Sequence, residues 1–361
     1  MARPNQARLD LSALRHNLEL AKKLAQGSRI MAVVKANAYG HGAITIAREL
    51  QSRTDALAVA CIEEAIELRD AGVETPIMLL EGVFEAQELA TAAQLGLWLT
   101  VDSDWQLRWL EETVLPAPVP CWLKIDTGMH RLGVMPQRAG EFFNRLMAAD
   151  SVAGTPVLYT HFASADDVES EQTREQIDLF DVVCDGLAAQ RSAANSPGLL
   201  AWPAARYDWV RPGYMLYGNS PMVKPHSNAE SLRPVMTLAS AVISLRDVPA
   251  GESVGYGATW TASRPSRIAT VTVGYGDGYP RLAPNGTPVL VNGQRAGLAG
   301  RVSMDMITVD VTDLPDVGPG DEVILWGEGL PLAEVASHAN TIGYELTTRM
   351  PARIPRVVIH D

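Results

Sequence analysis

Short apolar runs and helical patterns alternate through residue 230. The strand-like runs are IMAVVK (30–35), ALAVAC (56–61), PIMLLE (76–81), LWLTV (97–101), CWLKID (121–126), PVLYTHF (156–162), a short stretch at 192–195, and WVRPG (209–213). Between several of them lie segments such as IEEAIELRDAG and EFFNRLMAAD, with apolar residues at helical spacing. Strand and helix in alternation predict parallel strands joined by helical crossovers. Eight such strands close a (β/α)8 barrel.

From residue 231 the pattern changes. Helical periodicity thins out, and β-branched stretches take over: VMTLASAVISL, SRIATVTVGYG, TPVLVNGQRAGLAGRVSMDMITVDV and DEVILWG, punctuated by Pro-Asn-Gly and Val-Asn-Gly turns. The expected class is therefore α/β: a TIM-like (β/α)8 barrel over 1–230, followed by an all-β domain over 231–361. No internal repeat, low-complexity segment or long linker interrupts this plan.

Composition narrows the function. A chain of 361 residues with 47% hydrophobic and 20% charged residues fits a two-domain globular enzyme. A formal net charge of -12 and no cluster of basic residues argue against nucleic acid. Cys61, Cys121 and Cys184 are far apart, show no metal-ligand spacing, and suit a reducing compartment as buried small side chains. The opening MARPNQARLDLSALRHN has no apolar signal-peptide region, and no stretch is a plausible membrane span. The expectation is a cytoplasmic protein with no metal.

Barrel enzymes work at the C-terminal ends of their strands. Here those ends are chemically rich. The first run ends in Lys35, within AVVKANAYGHG (32–42). The fifth carries Lys124 and leads into TGMHRLG with Arg131; the sixth ends in His161; the seventh in Asn195 and Ser196; the eighth in Arg211 and Gly213. A lysine just past a strand is ordinarily a solvated charge, and a lone histidine or arginine is ordinarily structural or superficial. Their joint convergence on one polar mouth is not. A buried lysine loses its proton readily, and the neutral amine forms a Schiff base with a carbonyl cofactor. The Tyr-Gly-His-Gly after Lys35 favours that chemical reading.

Seven motifs in order, AVVKANAYGHG, KIDTGMHRLG, THFASAD, VRPGYMLYG, VGYGATW, VGYGDGYPR and GRVSMDM, make the whole chain resemble the alanine racemase family. These are fold-type III enzymes dependent on pyridoxal 5'-phosphate. The resemblance implies a homodimer in which each active site is completed by the other subunit's β domain. It implies a two-base racemisation of L- and D-alanine. Lys35 holds the cofactor and serves one face of the substrate, and Tyr256 of the partner subunit serves the other. Phenols are weak acids, so such a base needs help, and His161 and Arg211 match the family positions that supply it. Arg211 also matches an arginine facing the pyridine nitrogen. A guanidinium does not give up its proton, so the ring is a weaker electron sink and transamination is suppressed.

By the same resemblance Tyr39, Asn195, Ser196, Gly213, Tyr214 and Tyr344 (in TIGYELTTRM) hold the cofactor, chiefly at its phosphate. Arg131 and the Met304 amide take the substrate carboxylate, with Tyr275 and Asp305 on the approach. Lys124 matches a lysine that is often carbamylated, a modification that would hold Arg131 in place; a plain ion-pairing lysine is the alternative. The motif GRVSMDM departs from several relatives in carrying Ser303 where they have cysteine. Tyr275 and Tyr344 narrow the pocket towards a methyl side chain. The competing relatives are a racemase of broader range, acting on serine, lysine or arginine, a decarboxylase of the same fold type, and a non-catalytic pyridoxal-phosphate carrier. The carrier lacks a β domain, and the decarboxylase carries different motifs. A role in peptidoglycan precursor supply or in alanine catabolism is left open.

Overall fold

A computed structural model of the chain describes residues 3–360. Strand β1 (Gln6–Asp10) leads into helix α1 (Leu11–Ala25). Eight strands follow, β2 (Arg29–Val33), β3 (Ala56–Val59), β4 (Ile77–Leu79), β5 (Leu97–Val101), β6 (Cys121–Lys124), β7 (Val157–Tyr159), β8 (Arg191–Ser192) and β9 (Trp209–Val210). They are parallel and close into a barrel, β9 pairing back onto β2 through Arg29 and Ile30. Helices α2 (Ala43–Leu50), α3 (Ile62–Asp70), α4 (Glu88–Gln94), α5 (Asp104–Glu112), α6 (Ala139–Ala148), α7 (Glu171–Cys184) and α8 (Ser196–Ala201) make the crossovers. Each of the eight apolar runs read from the sequence contains or overlaps one barrel strand.

The period-two alternation of strand side chains separates two cores. On β2, Ile30 and Ala32 point outward and pack with Leu14 and Leu18 of α1 and Ile46 and Leu50 of α2. Met31 and Val33 point inward, into a barrel filled by Ala56, Ala58, Met78, Trp122, Tyr159 and Trp209. Three large rings dominate this interior. Trp122 lies 5.5 Å from Trp209, 5.8 Å from Tyr159 and 6.1 Å from the partly buried Trp98, centroid to centroid.

The second unit is built on one eight-stranded sheet. Its strands are β10 (Met236–Val248), β13 (Ser266–Val271), β14 (Pro288–Val291), β15 (Gln294–Leu298), β16 (Ile307–Asp310), β17 (Glu322–Trp326) and β18 (Arg356–His360), joined by β1. The long β10 pairs with β1 and β17 along its first half and with β13 along its second, closing the sheet on itself. A two-stranded ribbon, β11 (Ser253–Val254) and β12 (Trp260–Thr261), stands apart. The Val-Asn-Gly signal is the β14–β15 hairpin, with Asn292 at φ 49° and Gly293 at φ 77° as a tight primed turn requires.

Two features depart from the linear plan. Residues 6–10, inside the 1–230 segment, lie in the second sheet, between β10 and β18. The β unit also carries two short helices, α9 (Leu332–His338) and α10 (Gly343–Thr348), the second of which reaches the barrel mouth.

Trp122 is 1% exposed at the centre of the barrel interior. Trp122→Ala should lower stability by about 3–5 kcal/mol, as removal of a buried aromatic does, read as a lower urea midpoint by circular dichroism. An unchanged midpoint would mean that this layer does not hold the barrel.

Candidate active site

The site begins where β2 stops. Beyond Val34 and Lys35 the chain makes a left-handed turn: Ala36 (φ 52°, ψ 52°), Asn37 (φ 55°, ψ 48°), Ala38 (φ 52°, ψ 53°) and Tyr39 (φ 51°). Each L-residue in this conformation costs about 1–2 kcal/mol, so four in succession need fixed partners. Local bonds supply some: Ala38 N–H donates to the Val34 carbonyl (2.8 Å), Gly40 N–H to Ala36 (2.9 Å) and Gly42 N–H to Asn37 (3.0 Å). The Asn37 side-chain oxygen accepts from Ala43 N–H at 2.7 Å. Burial pushes His41 down to about 4, leaving it neutral, and its Nδ1 lies 3.0 Å from both the Ala38 and Tyr39 carbonyls.

Distant elements complete the hold. Glu64 accepts from Ala36 N–H at 2.6 Å and from Ala60 N–H at 2.8 Å. The Arg356 guanidinium donates twice to the Gly40 carbonyl, at 3.1 and 3.0 Å. Gly40 has φ +83°, and a Cβ there would lie 1.8 Å from the Thr347 carbonyl oxygen of α10, so only glycine fits. The turn places Lys35 and Tyr39 on one wall of the barrel-mouth cavity.

That cavity measures about 590 Å³ and is lined by four cationic side chains, Lys35, Lys124, Arg131 and Arg211, against the single carboxylate of Glu81. Among the described residues none of the four cations has a carboxylate within ion-pair distance. Burial, then Arg131, hold the Lys35 amine below its ordinary value of 10.5, with Glu81 and Glu64 pulling the other way. Lys124, 6% exposed, is pushed down to about 8, chiefly by burial and then by Arg131.

Arg211, 3% exposed, donates to the Ser192 hydroxyl and to the carbonyls of Thr160 (2.6 Å) and Ala193 (3.2 Å), and stands 5.0 Å from the Tyr159 ring. Burial lowers it to about 10, so it stays charged at neutral pH. His161 is held well below its usual range by burial and by the cations Arg211, Lys124, Arg131 and Lys35, and is therefore neutral.

The cavity is also rich in hydroxyls. Tyr214 and Tyr344 stack with ring centroids 3.6 Å apart, and Tyr39 lies 6.4 and 6.1 Å from them. Burial raises all three phenols, Tyr39 to about 12, so each keeps its proton and can donate it. Ser196 Oγ accepts from Gly213 N–H (2.9 Å) and Met215 N–H (3.2 Å), which leaves its own proton for an outside acceptor. A Cβ on Gly213 would lie 2.7 Å from the Tyr39 hydroxyl, so the close approach needs glycine. Asn195 lines the cavity and caps α8 through Gly198 N–H at 3.0 Å.

Four expected site residues stand elsewhere in the single chain. Tyr256 occupies the turn between β11 and β12 and is 71% exposed; Tyr275 and Met304 are 41% and 54% exposed; none of them, nor Asp305, lines the cavity. The Tyr275 turn is bonded to the Met304 loop through Tyr275 N–H to Ser303 O (3.0 Å) and Gly276 N–H to Met304 O (2.8 Å). Buried Asp277 braces both, pairing with Arg3 (2.9 Å) and Arg353 (2.8 Å), and Arg353 also holds Asp305 at 2.6 Å.

Sequence reasoning missed Tyr159, Glu81 and Glu64. Tyr159 is an inward position of a barrel strand, and Glu81 ends the third apolar run, so both were reachable by the strand-end argument. Glu64 gives no such signal, because its role depends on a neighbouring strand.

The chain matches the family model for the alanine racemase N-terminal domain over residues 9–221 and that for the C-terminal domain over residues 235–358. It is 52% identical, over 99% of its length and 100% of the relative's, to the catabolic alanine racemase of Pseudomonas putida. Its structure resembles the biosynthetic alanine racemase of Pseudomonas aeruginosa with a TM-score of 0.96 at 50% identity, covering 99% and 100% of the two chains. It also resembles the alanine racemase of Bartonella henselae solved with covalently bound pyridoxal phosphate, with a TM-score of 0.88 at 32% identity, covering 99% and 100%. On the strength of its cavity, its two-unit fold and these full-length matches, the chain belongs to the alanine racemase family.

Proposed function

We propose that the protein interconverts L-alanine and D-alanine with pyridoxal 5'-phosphate, as a homodimer whose β units complete each other's sites. The observation that carries this reading is the Lys35 amine, held below its ordinary value in a cavity with three other cations and a cluster of protonated hydroxyls. The cavity suits this cofactor. Its volume lies within the roughly 300–1,000 Å³ of small-molecule sites. The Tyr39, Ser196, Tyr214 and Tyr344 hydroxyls and the Gly213 close approach fit a phosphate, and Arg211 has no carboxylate partner among the described residues to compete with a ring nitrogen.

When bound, the cofactor supplies an electron sink that lowers the barrier to loss of the substrate α-proton. Lys35 would hold the cofactor through Nζ, and its amine would move the proton on one face of the substrate. The Tyr256 hydroxyl of the partner subunit moves it on the other, next to neutral His161 and charged Arg211. The exposure of Tyr256, Tyr275 and Met304 in the single chain supports this exchange of β units, since a base cannot work from open solvent. Arg131 and the Met304 amide fix the substrate carboxylate and so aim the α-proton. Tyr275 and Asp305 line the approach, and Tyr344 bounds the side-chain pocket. Among the described residues no helix is long and apolar enough to cross a membrane. Three unpaired cysteines favour a reducing, cytoplasmic setting.

We infer that Lys124 carries a carbamate that holds Arg131, with a plain ion-pairing lysine as the alternative. Its neutral amine attacks carbon dioxide and one proton leaves to solvent. With a value near 8, the neutral fraction grows as pH rises through that point. At fixed dissolved carbon dioxide, labelled bicarbonate should give a carbamate resonance that strengthens with pH and is missing in Lys124→Ala. If the two proteins give the same spectrum, Lys124 is a plain cation.

The overall reading is tested by incubating the purified protein with pyridoxal phosphate and L-alanine, L-serine, L-lysine or L-arginine in deuterated water, followed by chiral chromatography. D-Alanine carrying deuterium at the α-carbon, with little product from the larger substrates, is expected. Comparable turnover of lysine or arginine would indicate a broader-range racemase, and no exchange at all a carrier.

Shared sites make a further prediction. Lys35→Ala and Tyr256→Phe should each be inactive as homodimers. Mixed by unfolding and refolding together, they should recover about a quarter of wild-type activity, because half the dimers then hold one intact site. No recovery despite exchange of subunits would place both bases in one chain.

A further inference from the structure

The ladder between β2 and β3 stops just short of the catalytic lysine, and a side chain continues it. The pairing runs in register to Val33 and Ala58, and Val34 N–H donates to the Ala58 carbonyl at 2.8 Å. Beyond that point the two chain segments part. Ala36 N–H in the left-handed turn and Ala60 N–H past the end of β3 are both donors, and neither can satisfy the other. Glu64 comes between them, one carboxylate oxygen on each, at 2.6 and 2.8 Å. It projects from the first turn of α3, where a negative charge is favoured by the helix dipole. Glu64 does not line the cavity.

We propose that Glu64 is a positioning residue: its carboxylate acts as a surrogate rung that ties the turn after Lys35 to the adjacent barrel strand, and so keeps the turn left-handed. The inference rests on the reading that Lys35 carries pyridoxal phosphate. Ala36 is the first residue of the turn with positive φ, and its N–H is the group that a right-handed relaxation would swing away. Losing that bond frees the turn to relax, and Lys35 Nζ and Tyr39 Oη then no longer face the cofactor from one wall. A carboxylate suits the task because two converging N–H groups need two acceptors at a fixed spacing. A glutamine offers one acceptor and presents an N–H to the other donor. An aspartate keeps the charge and loses the reach.

This separates three roles that Glu64 could play. A simple N-terminal helix acid would need only the charge. An electrostatic effect on Lys35 would likewise survive in Glu64→Asp. A rung that offsets backbone strain would be lost in both Glu64→Gln and Glu64→Asp, and would be restored by relieving the strain itself. Ala36→Gly does so, because glycine adopts φ near 52° freely.

The experiment uses the full chain dialysed against graded pyridoxal phosphate. It reads the absorbance of the bound cofactor, trapping by borohydride with peptide mapping to Lys35, and the unfolding midpoint. Both single variants should bind the cofactor roughly tenfold more weakly, as loss of a charge-assisted bond implies. Adding Ala36→Gly to Glu64→Gln should recover about fivefold of that loss. Wild-type affinity in Glu64→Asp, or a loss in Glu64→Gln that Ala36→Gly does not recover, would overturn the surrogate rung. Should Glu64→Gln fail to fold, Glu64→Asp with and without Ala36→Gly carries the same test. Wild-type protein that is not labelled at Lys35 would instead defeat the functional reading, leaving a distinct signature.

Discussion

Four consecutive L-residues held in the left-handed region decide where the rest of the cavity can stand. The conformation is unfavourable at each position, so it exists only because the neighbouring structure leaves no other arrangement. Thr347 blocks any side chain at residue 40, Arg356 fixes the Gly40 carbonyl, and Glu64 anchors the Ala36 amide. Two of these constraints come from the β unit and one from the barrel. The lysine at the barrel mouth is thus aimed by both halves of the chain, which explains why α10 must reach the barrel rather than stay with its own sheet.

A second constraint is electrostatic. The chain is acidic, with a formal charge of -12, yet its cavity gathers four cations around one carboxylate. Desolvated cations repel one another, and anions that enter the site stabilise them further. A doubly charged phosphate and an amino-acid carboxylate would meet that need. The phenols, kept protonated by burial, supply donors where a further cation would add to the repulsion. Burial and these charges hold His161 neutral, so it does not add a fifth positive charge.

The barrel was legible because strands buried on both faces read as continuous apolar runs. Apart from β5, which matches its run, each observed strand is shorter than its run, and Lys35, Glu81, His161 and Arg211 lie past the strand ends at the mouth. The strand-end rule therefore located Lys35, Lys124, Arg131, His161, Asn195, Ser196, Arg211 and Gly213 on the cavity wall. The left-handed turn was not legible: Ala36, Asn37, Ala38 and Tyr39 include no glycine, and the forces that impose the turn come from residues up to 356. Strand β1 was hidden for a related reason. QARLD alternates over only five residues, and its partners lie at 236–239 and 356–360. Motif resemblance named Tyr256, Tyr275, Met304 and Asp305, whereas no local pattern shows that they stand outside the cavity of their own chain.

The placement of β1 has a consequence for how the molecule is made. Ala7 pairs in parallel with Arg356, so a strand made early lies beside one made about 350 residues later. The barrel strands can close while the chain is still emerging from the ribosome. Strand β1 meanwhile has a free edge until β10, and finally β18, arrive to flank it. Arg3, just ahead of β1, reaches Asp277 under the Tyr275 turn. Arg353 pairs with the same carboxylate, so the Tyr275 turn is fully braced only once residue 353 has been made.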